Sequence, residues 1–544
     1  MCIRMLSLVC FFFGLNFLLC SGESKRPNVL FAFADDWGRQ ASIYAKVEGA
    51  GGINDLAKTP NFDKLAGEGV LFTNAYVNAP SCTPCRSAIL SGRNFWETGR
   101  GAILQGAVWD EKIPTWPLLL KDSGYHIGYT YKVWSPGTPR DAGIGGQANA
   151  FARAGRKFNG FSQYVISRAR KIATVEKIDK AKAIEKTKKE LDREVANNFR
   201  GFLDKRNNDQ PFAYWFGPTN VHRKWIKGSG KELWEIDPDK LKGKMPAFLP
   251  DVHEVREDLA DYLGEIAAFD AGLGILIEEL KKAGEYDNTI IVVSGDHGPP
   301  GFPHGKCNLY DFGTRVCLAI AGPSVTGGRV VHDFVGLPDL APTFLQAGKV
   351  DVPKGMSARS LWKVLKSKKG DWVDPSRDAV VTGRERHVQV ARVGHLPYPQ
   401  RAIRTKDFQF VINFRPDRWP LGDPYLLDTP KEPKFGLLEQ QTFVTLADED
   451  AGPTKAWIVT NRKNPKVKPF FDHAYGKRPR EELYDMKKDP DQMKNIVDDP
   501  AYTETVKKLR TRLMNYLRET NDPRLVDDGK FFETAPMAGP VPGR

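Results

Sequence analysis

Residues 27–38 read P-N-V-L-F-A-F-A-D-D-W-G, and this stretch decides the fold class. Its apolar run shows no polar alternation, which is typical of a strand that is covered on both faces. The run ends in Asp35 and Asp36. Ligands of open α/β sheets gather beyond the carboxyl ends of strands, and two adjacent carboxylates repel each other unless a cation separates them. Oxygen ligands of this kind suit Ca²⁺ or Mg²⁺, and a solvated turn is the alternative.

A second apolar run ends in the same way. Residues 289–298 read T-I-I-V-V-S-G-D-H-G, so Asp296 and His297 again follow a buried strand. Two strands that both end in potential ligands indicate a shared site far more strongly than one strand does. Three more segments carry basic or imidazole groups: His222 in residues 212–223, Lys132 in residues 123–134 and Lys306 in residues 305–316.

Residues 80–93 read P-S-C-T-P-C-R-S-A-I-L-S-G-R. Taken alone, Cys82 is most simply a small buried cysteine in a turn before a helix. The spacing of Cys82, Pro84 and Arg86, however, is similar to the target of the enzyme that converts cysteine to formylglycine. The surrounding acidic, basic and imidazole motifs decide in favour of this second interpretation.

Together, these motifs resemble the formylglycine-dependent sulfatases across roughly the whole mature chain. The closest resemblance is to the heparan N-sulfatase (sulfamidase) branch and its bacterial relatives. The best local matches are K-C-N-L-Y-D-F-G-T-R at 306–315, D-F-V-G-L-P-D-L-A-P-T-F-L at 333–345 and E-L-Y-D-M-K-K-D-P at 482–490. A match that extends over many motifs is more specific than any one of them.

The resemblance implies a role for each candidate residue. One Ca²⁺ per chain would be held by Asp35, Asp36, Asp296, His297 and Cys82 in its formylglycine form. Many family members have Asn where His297 stands. Arg86 and Lys132 would position and polarise the formylglycine hydrate, and His222 and Lys306 would hold the sulfate oxygens or assist the leaving group. Maturation would require a formylglycine-generating enzyme as a partner.

The chemistry that the resemblance implies needs these residue types. One hydroxyl of a formylglycine hydrate would attack sulfur, with a divalent cation and Arg86 stabilising the alkoxide. Lys132, Lys306 and His222 would stabilise the negative charge that spreads over the sulfuryl oxygens. A Lys or His general acid suits the leaving alcohol or amine.

Trp134 departs from the family pattern. The family usually has Lys-x-His where this chain has Lys132-Val133-Trp134, and that His normally accepts a proton late in the reaction. An indole only donates, so Trp134 cannot replace it. Another base, a slower turnover or a different substrate would each account for the change.

The predicted substrate is a sulfated saccharide, with N-sulfoglucosamine ends of heparin-like chains as first choice. Arg386 and His387 in the R-E-R-H run are expected to bind a carboxylate or sulfate beside the scissile group, with surface salt bridges as the alternative. O-sulfated algal polysaccharides are the main rival substrates. A phosphatase or phosphodiesterase of the same superfold and a non-catalytic polysaccharide-binding relic are the other functional classes. Because phosphoryl-transfer relatives generally use Thr or Ser as nucleophile, Cys82 argues against the former.

Composition fits an exported globular enzyme. The chain has 544 residues, of which 41% are hydrophobic and 27% charged. The net charge of +13 indicates a polyanionic partner or simply a basic surface, and no nucleic-acid recognition motif accompanies it. The basic segment 168–206 has helical spacing and is interpreted as a solvated helix face.

The N-terminus predicts export. Arg4 precedes an apolar stretch that is too short for a membrane span, so residues 1–22 are interpreted as a signal peptide, with a lipoprotein site at Cys20 as the second choice. No later segment is apolar enough to be transmembrane. The chain contains no N-x-S/T sequon, which favours a bacterial-like periplasmic or secreted enzyme over a lysosomal one.

The pattern of predicted strands and helices changes along the chain and predicts two units. Alternating strands and helices predict a catalytic domain over residues 23–395, and a hairpin strand and a closing helix predict a C-terminal subdomain over 396–520, followed by an irregular tail over 521–544. In that helix, Val506, Leu509, Leu513 and Leu517 share one face. The family resemblance implies an alkaline-phosphatase-like α/β fold, with a mixed sheet sandwiched by helices and a small C-terminal antiparallel sheet-plus-helix subdomain. Cys307 and Cys317 are candidates for a disulfide, although the sequence gives no geometry.

Overall fold

The computed structural model describes residues 25–138, 143–207 and 209–537, so the predicted signal peptide lies outside the described residues. The strands in this part of the chain are β1 (Asn28–Ala34), β2 (Val70–Phe72), β3 (Ala75–Tyr76), β4 (His126–Tyr131), β5 (Phe212–Gly217), β6 (Thr289–Gly295), β7 (Arg315–Val316), β8 (Leu318–Ala321), β9 (Arg329–Val331), β10 (Val335–Gly336), β11 (Ala379–Arg384), β12 (Gln400–Thr405), β13 (Phe408–Asn413) and β14 (Glu481–Asp485).

The α-helices follow the same chain order. They are α1 (Ser42–Glu48), α2 (Pro60–Glu68), α3 (Cys82–Ser91), α4 (Trp116–Asp122), α5 (Phe161–Glu176), α6 (Lys180–Leu203), α7 (Ser229–Trp234), α8 (His253–Lys282), α9 (Asp311–Thr314), α10 (Leu340–Ala347), α11 (Trp362–Lys366), α12 (Phe435–Gln440), α13 (Pro453–Asn461), α14 (Lys468–Tyr475), α15 (Thr503–Glu519) and α16 (Lys530–Glu533). Among the described residues, no helix has both the length and the apolar character needed to cross a membrane.

A mixed sheet of seven strands, in the order β4-β5-β1-β6-β8-β2-β9, forms the centre of the large unit. The neighbours β4, β5, β1 and β6 are parallel, whereas β8 runs antiparallel to both β6 and β2. Alternate side chains of β1 enter different cores, because successive residues of a strand point to opposite faces. Leu30 packs in one buried cluster with α8, and Phe31 packs in a second with α4 and α10. This arrangement confirms the predicted α/β fold with helices on both faces.

A separate antiparallel sheet, in the order β11-β12-β13-β14, forms the second unit. Helix α15 covers it, and its buried face consists of the four predicted residues Val506, Leu509, Leu513 and Leu517. The predicted small sheet-plus-helix unit is therefore confirmed. Its first strand, β11, precedes residue 396, where the subdomain was predicted to begin, and the division of the chain into independent domains stays a prediction.

The C-terminal tail packs back onto this sheet. Arg401 of β12 is fully buried and pairs with Glu385 at 3.0 Å and with Asp522 at 2.6 Å. Short helical turns at Pro523–Leu525 and in α16 follow. The cysteines at 82, 85, 307 and 317 are all free and buried, so the candidate disulfide between the last two is not formed.

Candidate active site

Strands β1 and β6 bring the predicted acidic groups together. They run parallel and in register, with Ala34 opposite Gly295, so the residues that follow each strand emerge side by side. The backbone N–H of Asp36 donates to Asp296 Oδ1 at 2.7 Å. Asp36 adopts a left-handed conformation with φ 61°, which Asp tolerates better than most residues do. The local backbone therefore turns the Asp36 side chain towards the end of β6.

The close approach of the two strand ends requires a glycine at residue 295. A Cβ atom at this position would lie 2.0 Å from the carbonyl oxygen of Trp37, which belongs to rigid buried backbone. Any side chain here would push the ends of β1 and β6 apart. Gly295 thus fixes the spacing on which the acidic group depends.

Helix α3 presents Cys82 to this acidic group. Cys82 is its first residue and is only 3% exposed. The Sγ atom lies 3.5 Å from His297 Nε2 and 4.0 Å from Asp36 Oδ1. Burial, together with the Asp35 carboxylate, raises the pKa of the thiol well above its ordinary value. An unmodified Cys82 is therefore a neutral thiol and a poor nucleophile.

Arg86 lies one turn further along α3 and joins the two strand ends. Its guanidinium donates to Asp296 Oδ2 from Nε at 3.0 Å and to Asp35 Oδ1 from Nη2 at 3.0 Å. A third nitrogen, Nη1, donates to the carbonyl of Val133 at 3.2 Å. The guanidinium is completely buried, so its planar fork compensates two carboxylates that water cannot reach.

Lys132 neutralises Asp35 from the other side. Its Nζ atom donates to both carboxylate oxygens of Asp35 at 2.8 Å. Burial alone would raise the pKa of Asp35, but Lys132 and Arg86 together hold it well below its ordinary value. Burial would likewise lower the pKa of Lys132, and the Asp35 carboxylate raises it above its ordinary value. Both groups are therefore charged at neutral pH.

Lys306 and His222 approach Asp36. Lys306 Nζ lies 3.2 Å from Asp36 Oδ2 and 3.1 Å from Asp450 Oδ2. His222 Nε2 lies 3.8 Å from Asp36 Oδ2, while its Nδ1 is 2.6 Å from the backbone oxygen of Arg223. A proton on Nδ1 satisfies that carbonyl and leaves Nε2 directed at the site.

Four side chains meet the requirements of a metal site. The ligand atoms of Asp36, Cys82, Asp296 and His297 all lie within 4.8 Å of one another, and all four residues are buried. His297 Nδ1 is 3.1 Å from the Gly298 carbonyl, so its Nε2 is available as a ligand. Asp35 lies outside this group of ligand atoms and pairs with Lys132 and Arg86, and its role as a metal ligand stays a prediction. Two buried carboxylates and an imidazole, with the oxygen that formylglycine would supply at residue 82, fit a divalent cation.

A cavity of about 380 Å³ opens above Cys82. The residues that line it are Cys82, Leu104, Gln105, Lys132, Pro136, His222, Lys224, Lys306, His387, Val388, Gln440, Gln441, Thr442, Phe443 and Asp450. The size suits a small ligand, since such cavities measure roughly 300–1,000 Å³. The predicted catalytic residues Cys82, Lys132, His222 and Lys306 therefore line the same cavity, whereas Arg86 is fully buried and does not line it.

The two predicted substrate-binding residues differ in position. His387 lines the cavity, and its Nδ1 is 2.8 Å from Ser81 Oγ. Burial and the positive charge of Lys306 lower the pKa of His387 to about 3, so the imidazole is neutral at physiological pH. Arg386 is not among the lining residues. Its guanidinium donates to the backbone carbonyls of Ala535 and Gln105 at 2.7 and 3.0 Å and so ties the tail to the large unit.

Trp134 faces away from the cavity. Its indole N–H donates to Ser87 Oγ on α3 at 2.8 Å, and its ring packs edge-on against Trp109. The indole therefore supports α3 from behind instead of replacing an imidazole in the site. Among the described residues of the cavity wall, the imidazoles are those of His222 and His387.

Sequence reasoning missed Asp450 and the segment from Gln440 to Phe443. These residues reach the cavity from the second half of the chain, and Asp450 pairs with Lys306. Asp450 follows no apolar strand and belongs to none of the motifs that resemble the sulfatase family. The cluster D-E-D at residues 448–450 was the available signal, but acidic clusters are usually solvated.

Comparison with known proteins agrees with this geometry. The family model described as Sulfatase matches residues 27–350, which include both strand ends, α3, Lys132, His222 and Lys306. The chain belongs to the sulfatase family. It is accordingly a hydrolase that removes sulfate groups, as its motifs predicted.

Several relatives of the sulfatase resemble it along most of the chain. It is 26% identical over 540 residues to human N-sulphoglucosamine sulphohydrolase, covering 93% of this chain and 92% of that protein. It is 22% identical over 544 residues to an ulvan-active sulfatase of Formosa agariphila, covering 92% of this chain and 76% of that one. A solved structure of a protein with its substrate D-glucosamine-2-N,6-O-disulfate shares the fold, with a TM-score of 0.58, 20% identity and coverage of 92% and 99%.

We expect Arg86→Met to destabilise the sulfatase strongly. The substitution keeps the apolar stem but leaves Asp35 and Asp296 without their shared buried cation, so the free energy of unfolding should fall by about 3–5 kcal/mol. Urea denaturation at pH 7 with a chelator, which removes any compensating metal ion, measures this loss. The control is Arg100→Met, because Arg100 donates to one carbonyl, that of Gly106, and should cost about 1 kcal/mol. Equal losses in the two variants would contradict the bridging role of Arg86.

Proposed function

We propose that this sulfatase removes sulfate from a sulfated saccharide, with N-sulfoglucosamine ends of heparin-like chains as the first substrate, and that Cys82 acts after conversion to formylglycine. The observation that carries the proposal is the position of Cys82. Cys82 lies at the bottom of the cavity, where its Sγ atom is one of the four potential metal ligands. Lys132 and Lys306 line the same cavity. The full-length similarity to human N-sulphoglucosamine sulphohydrolase supports the substrate.

The modification explains why residue 82 is a buried cysteine with a raised pKa. A thiol held neutral in this environment does not act efficiently as a nucleophile. Formylglycine, in its hydrated form, supplies a hydroxyl nucleophile at the same position. Arg86 holds the two carboxylates around this position, and Lys132 lies within reach of Asp35, so the polar surroundings of residue 82 are fixed before substrate enters.

The basic residues of the wall have separate tasks. Lys306 and Lys132 present ammonium groups to the sulfate oxygens, where negative charge accumulates during transfer. His222 directs Nε2 at the cavity and, when both ring nitrogens carry a proton, supplies the Nε2 proton to the leaving amine or alcohol. Asp450 pairs with Lys306 and lies near His222, so it orients both groups. His387 is neutral and offers its imidazole as a hydrogen-bonding group for the sugar.

We assign Ca²⁺ to Asp35, Asp36, Asp296, His297 and residue 82. The ligand atoms of the last four lie within 4.8 Å of one another, and Asp35 also pairs with Arg86 and Lys132. A bound Ca²⁺ would lower the pKa of the nucleophilic hydroxyl and polarise a sulfate oxygen. The oxygen-rich ligand set favours this ion over zinc. We further propose that the protein is exported, through the leader at residues 1–22, and meets a formylglycine-generating enzyme during maturation.

The substrate assignment is tested by comparing sulfate release from N-sulfated glucosamine, 6-O-sulfated glucosamine and sulfated algal oligosaccharides such as ulvan fragments. We expect the highest kcat/KM for the N-sulfated sugar, because the chain resembles a sulfamidase over nearly its whole length. Hydrolysis of O-sulfated algal sugars alone would reject this substrate and leave the sulfatase activity standing. Turnover of phosphate diesters with no release of sulfate from any sugar would reject the activity itself.

Peptide mass spectrometry of active protein should show the loss of sulfur and the gain of an aldehyde at residue 82. Cys82→Ala should abolish sulfate release while the melting temperature stays nearly unchanged, since little volume is removed. Cys85→Ala is the control, because Cys85 is also buried in α3 but does not line the cavity. A fully active protein with an intact Cys82 thiol would refute the proposed nucleophile.

Elemental analysis should find one Ca²⁺ per chain in the purified protein. Asp36→Asn should lose this ion and the activity together, because one charged ligand of the group is replaced by a weaker neutral one. Asp333→Asn is the matched control, since this buried aspartate accepts hydrogen bonds from the backbone of Val373 and Asp374 outside the site. Stoichiometric zinc, or an Asp36→Asn protein that keeps its metal, would contradict the assignment.

A further inference from the structure

The cavity differs between its two ends. The bottom consists of side chains that are almost completely buried, and the mouth consists of side chains that are exposed to solvent. The bottom contains Cys82, Lys306 and His387, whereas the mouth contains Lys224, Gln440 and Phe443. The catalytic roles proposed above use none of the three residues at the mouth, so the chemistry of the mouth is still unassigned.

The backbone around Lys224 is held firmly in place. The neighbouring Arg223 forms a two-pronged ion pair with Asp258 at 2.8 and 2.7 Å, and its Nε donates to the Pro300 carbonyl at 2.9 Å. The carbonyl of Lys224 itself accepts a hydrogen bond from Gln163 Nε2 at 2.9 Å. The Lys224 side chain therefore projects to the mouth from a fixed base.

The ammonium group of Lys224 has no acidic partner in the described part of the chain. Its Nζ donates to the amide oxygen of Gln440 at 3.1 Å, and a neutral amide leaves the positive charge uncompensated. In contrast, Lys132 and Lys306 deeper in the cavity are paired with carboxylates. A free cation at the entrance of a cavity that processes sulfated sugars is suited to bind a second anionic group.

Phe443 provides an apolar surface beside this cation. It is 39% exposed and lines the cavity, so its ring is accessible to a ligand at the mouth. It lies in a helical turn that is fixed at Thr442, whose hydroxyl accepts from the Ala451 N–H at 3.0 Å and whose carbonyl accepts from Lys455 at 3.4 Å. The C–H groups of a pyranose ring are weakly positive and pack well on the negative face of such a ring.

We propose that the mouth of the cavity is a subsite for the sugar that is joined to the one losing its sulfate. Lys224 binds a carboxylate or a sulfate on this neighbouring sugar, and Phe443 packs against its ring. Gln440, which now accepts from Lys224, stays beside the ammonium group and offers its amide to a sugar hydroxyl. This inference rests on the proposed function and adds a preference for oligosaccharides whose second sugar is anionic.

The test compares one sulfated monosaccharide with two disaccharides that carry it, one joined to a uronic acid and one to an O-sulfated neutral sugar. The readout is the ratio of kcat/KM for a disaccharide to kcat/KM for the monosaccharide. We expect Lys224→Gln to lower this ratio about fivefold, which is typical of a lost ion pair that is partly exposed. Phe443→Ala should lower it roughly threefold through the lost ring contact.

Two control variants carry the same changes away from the cavity. Lys227→Gln removes a nearby lysine that pairs with Glu257 at 3.4 Å, and Phe531→Ala removes an exposed phenylalanine of α16. Both variants should show the same ratio of disaccharide to monosaccharide kcat/KM as the wild-type protein. A loss confined to the uronic acid disaccharide identifies a carboxylate as the ligand of Lys224, and a loss confined to the other identifies a sulfate.

An unchanged ratio in both Lys224→Gln and Phe443→Ala would overturn the subsite. If the wild-type protein released sulfate from none of these sugars, the proposed function would fail. The subsite at the mouth would then be tested by measuring ligand affinity. Calorimetry on Cys82→Ala protein measures the affinities for the same three sugars. Tighter binding of an anionic disaccharide than of the monosaccharide, reduced by Lys224→Gln, supports the subsite, and equal affinities reject it.

Discussion

Two parallel strands that end side by side concentrate negative charge at one buried point, and most of the site is arranged to compensate it. Asp36 and Asp296 face each other across a spacing that Gly295 fixes. Such a pair is unstable away from water unless cations surround it. Arg86 and Lys306 supply permanent positive charge, and the remaining gap between the carboxylates is where a divalent ion fits.

The two aspartates after β1 meet this constraint with different partners. Asp35 turns towards Lys132 and Arg86 and stabilises the positive wall of the cavity. Asp36, in a left-handed conformation, turns towards Cys82 and His297. The sequence shows two equivalent carboxylates and predicts both as metal ligands. The backbone angle of Asp36 and the positions of the cations show that the two side chains have different surroundings.

Local patterns predicted the fold well, because the apolar runs of β1 and β6 and the apolar face of α15 need no distant partner to be recognised. The Cys82 motif and the basic residues were found through family resemblance. Residues that act over long sequence distances were not found, and Asp450 is the clearest case. Trp134 and Arg386 stand in recognised motifs, but their side chains point away from the cavity. A motif does not specify side-chain direction, so the sequence could not predict these contacts.

The burial of Cys82 has a consequence for biosynthesis. The residue is 3% exposed and is enclosed by α3, the strand ends and residues of the second half of the chain. A separate enzyme cannot bind the segment around Cys82 in the folded protein, because α3 and the strand ends would have to separate first. Under the proposed formylglycine mechanism, conversion of the cysteine would have to precede the closure of the C-terminal half over the site. A chain that escaped conversion would then stay inactive.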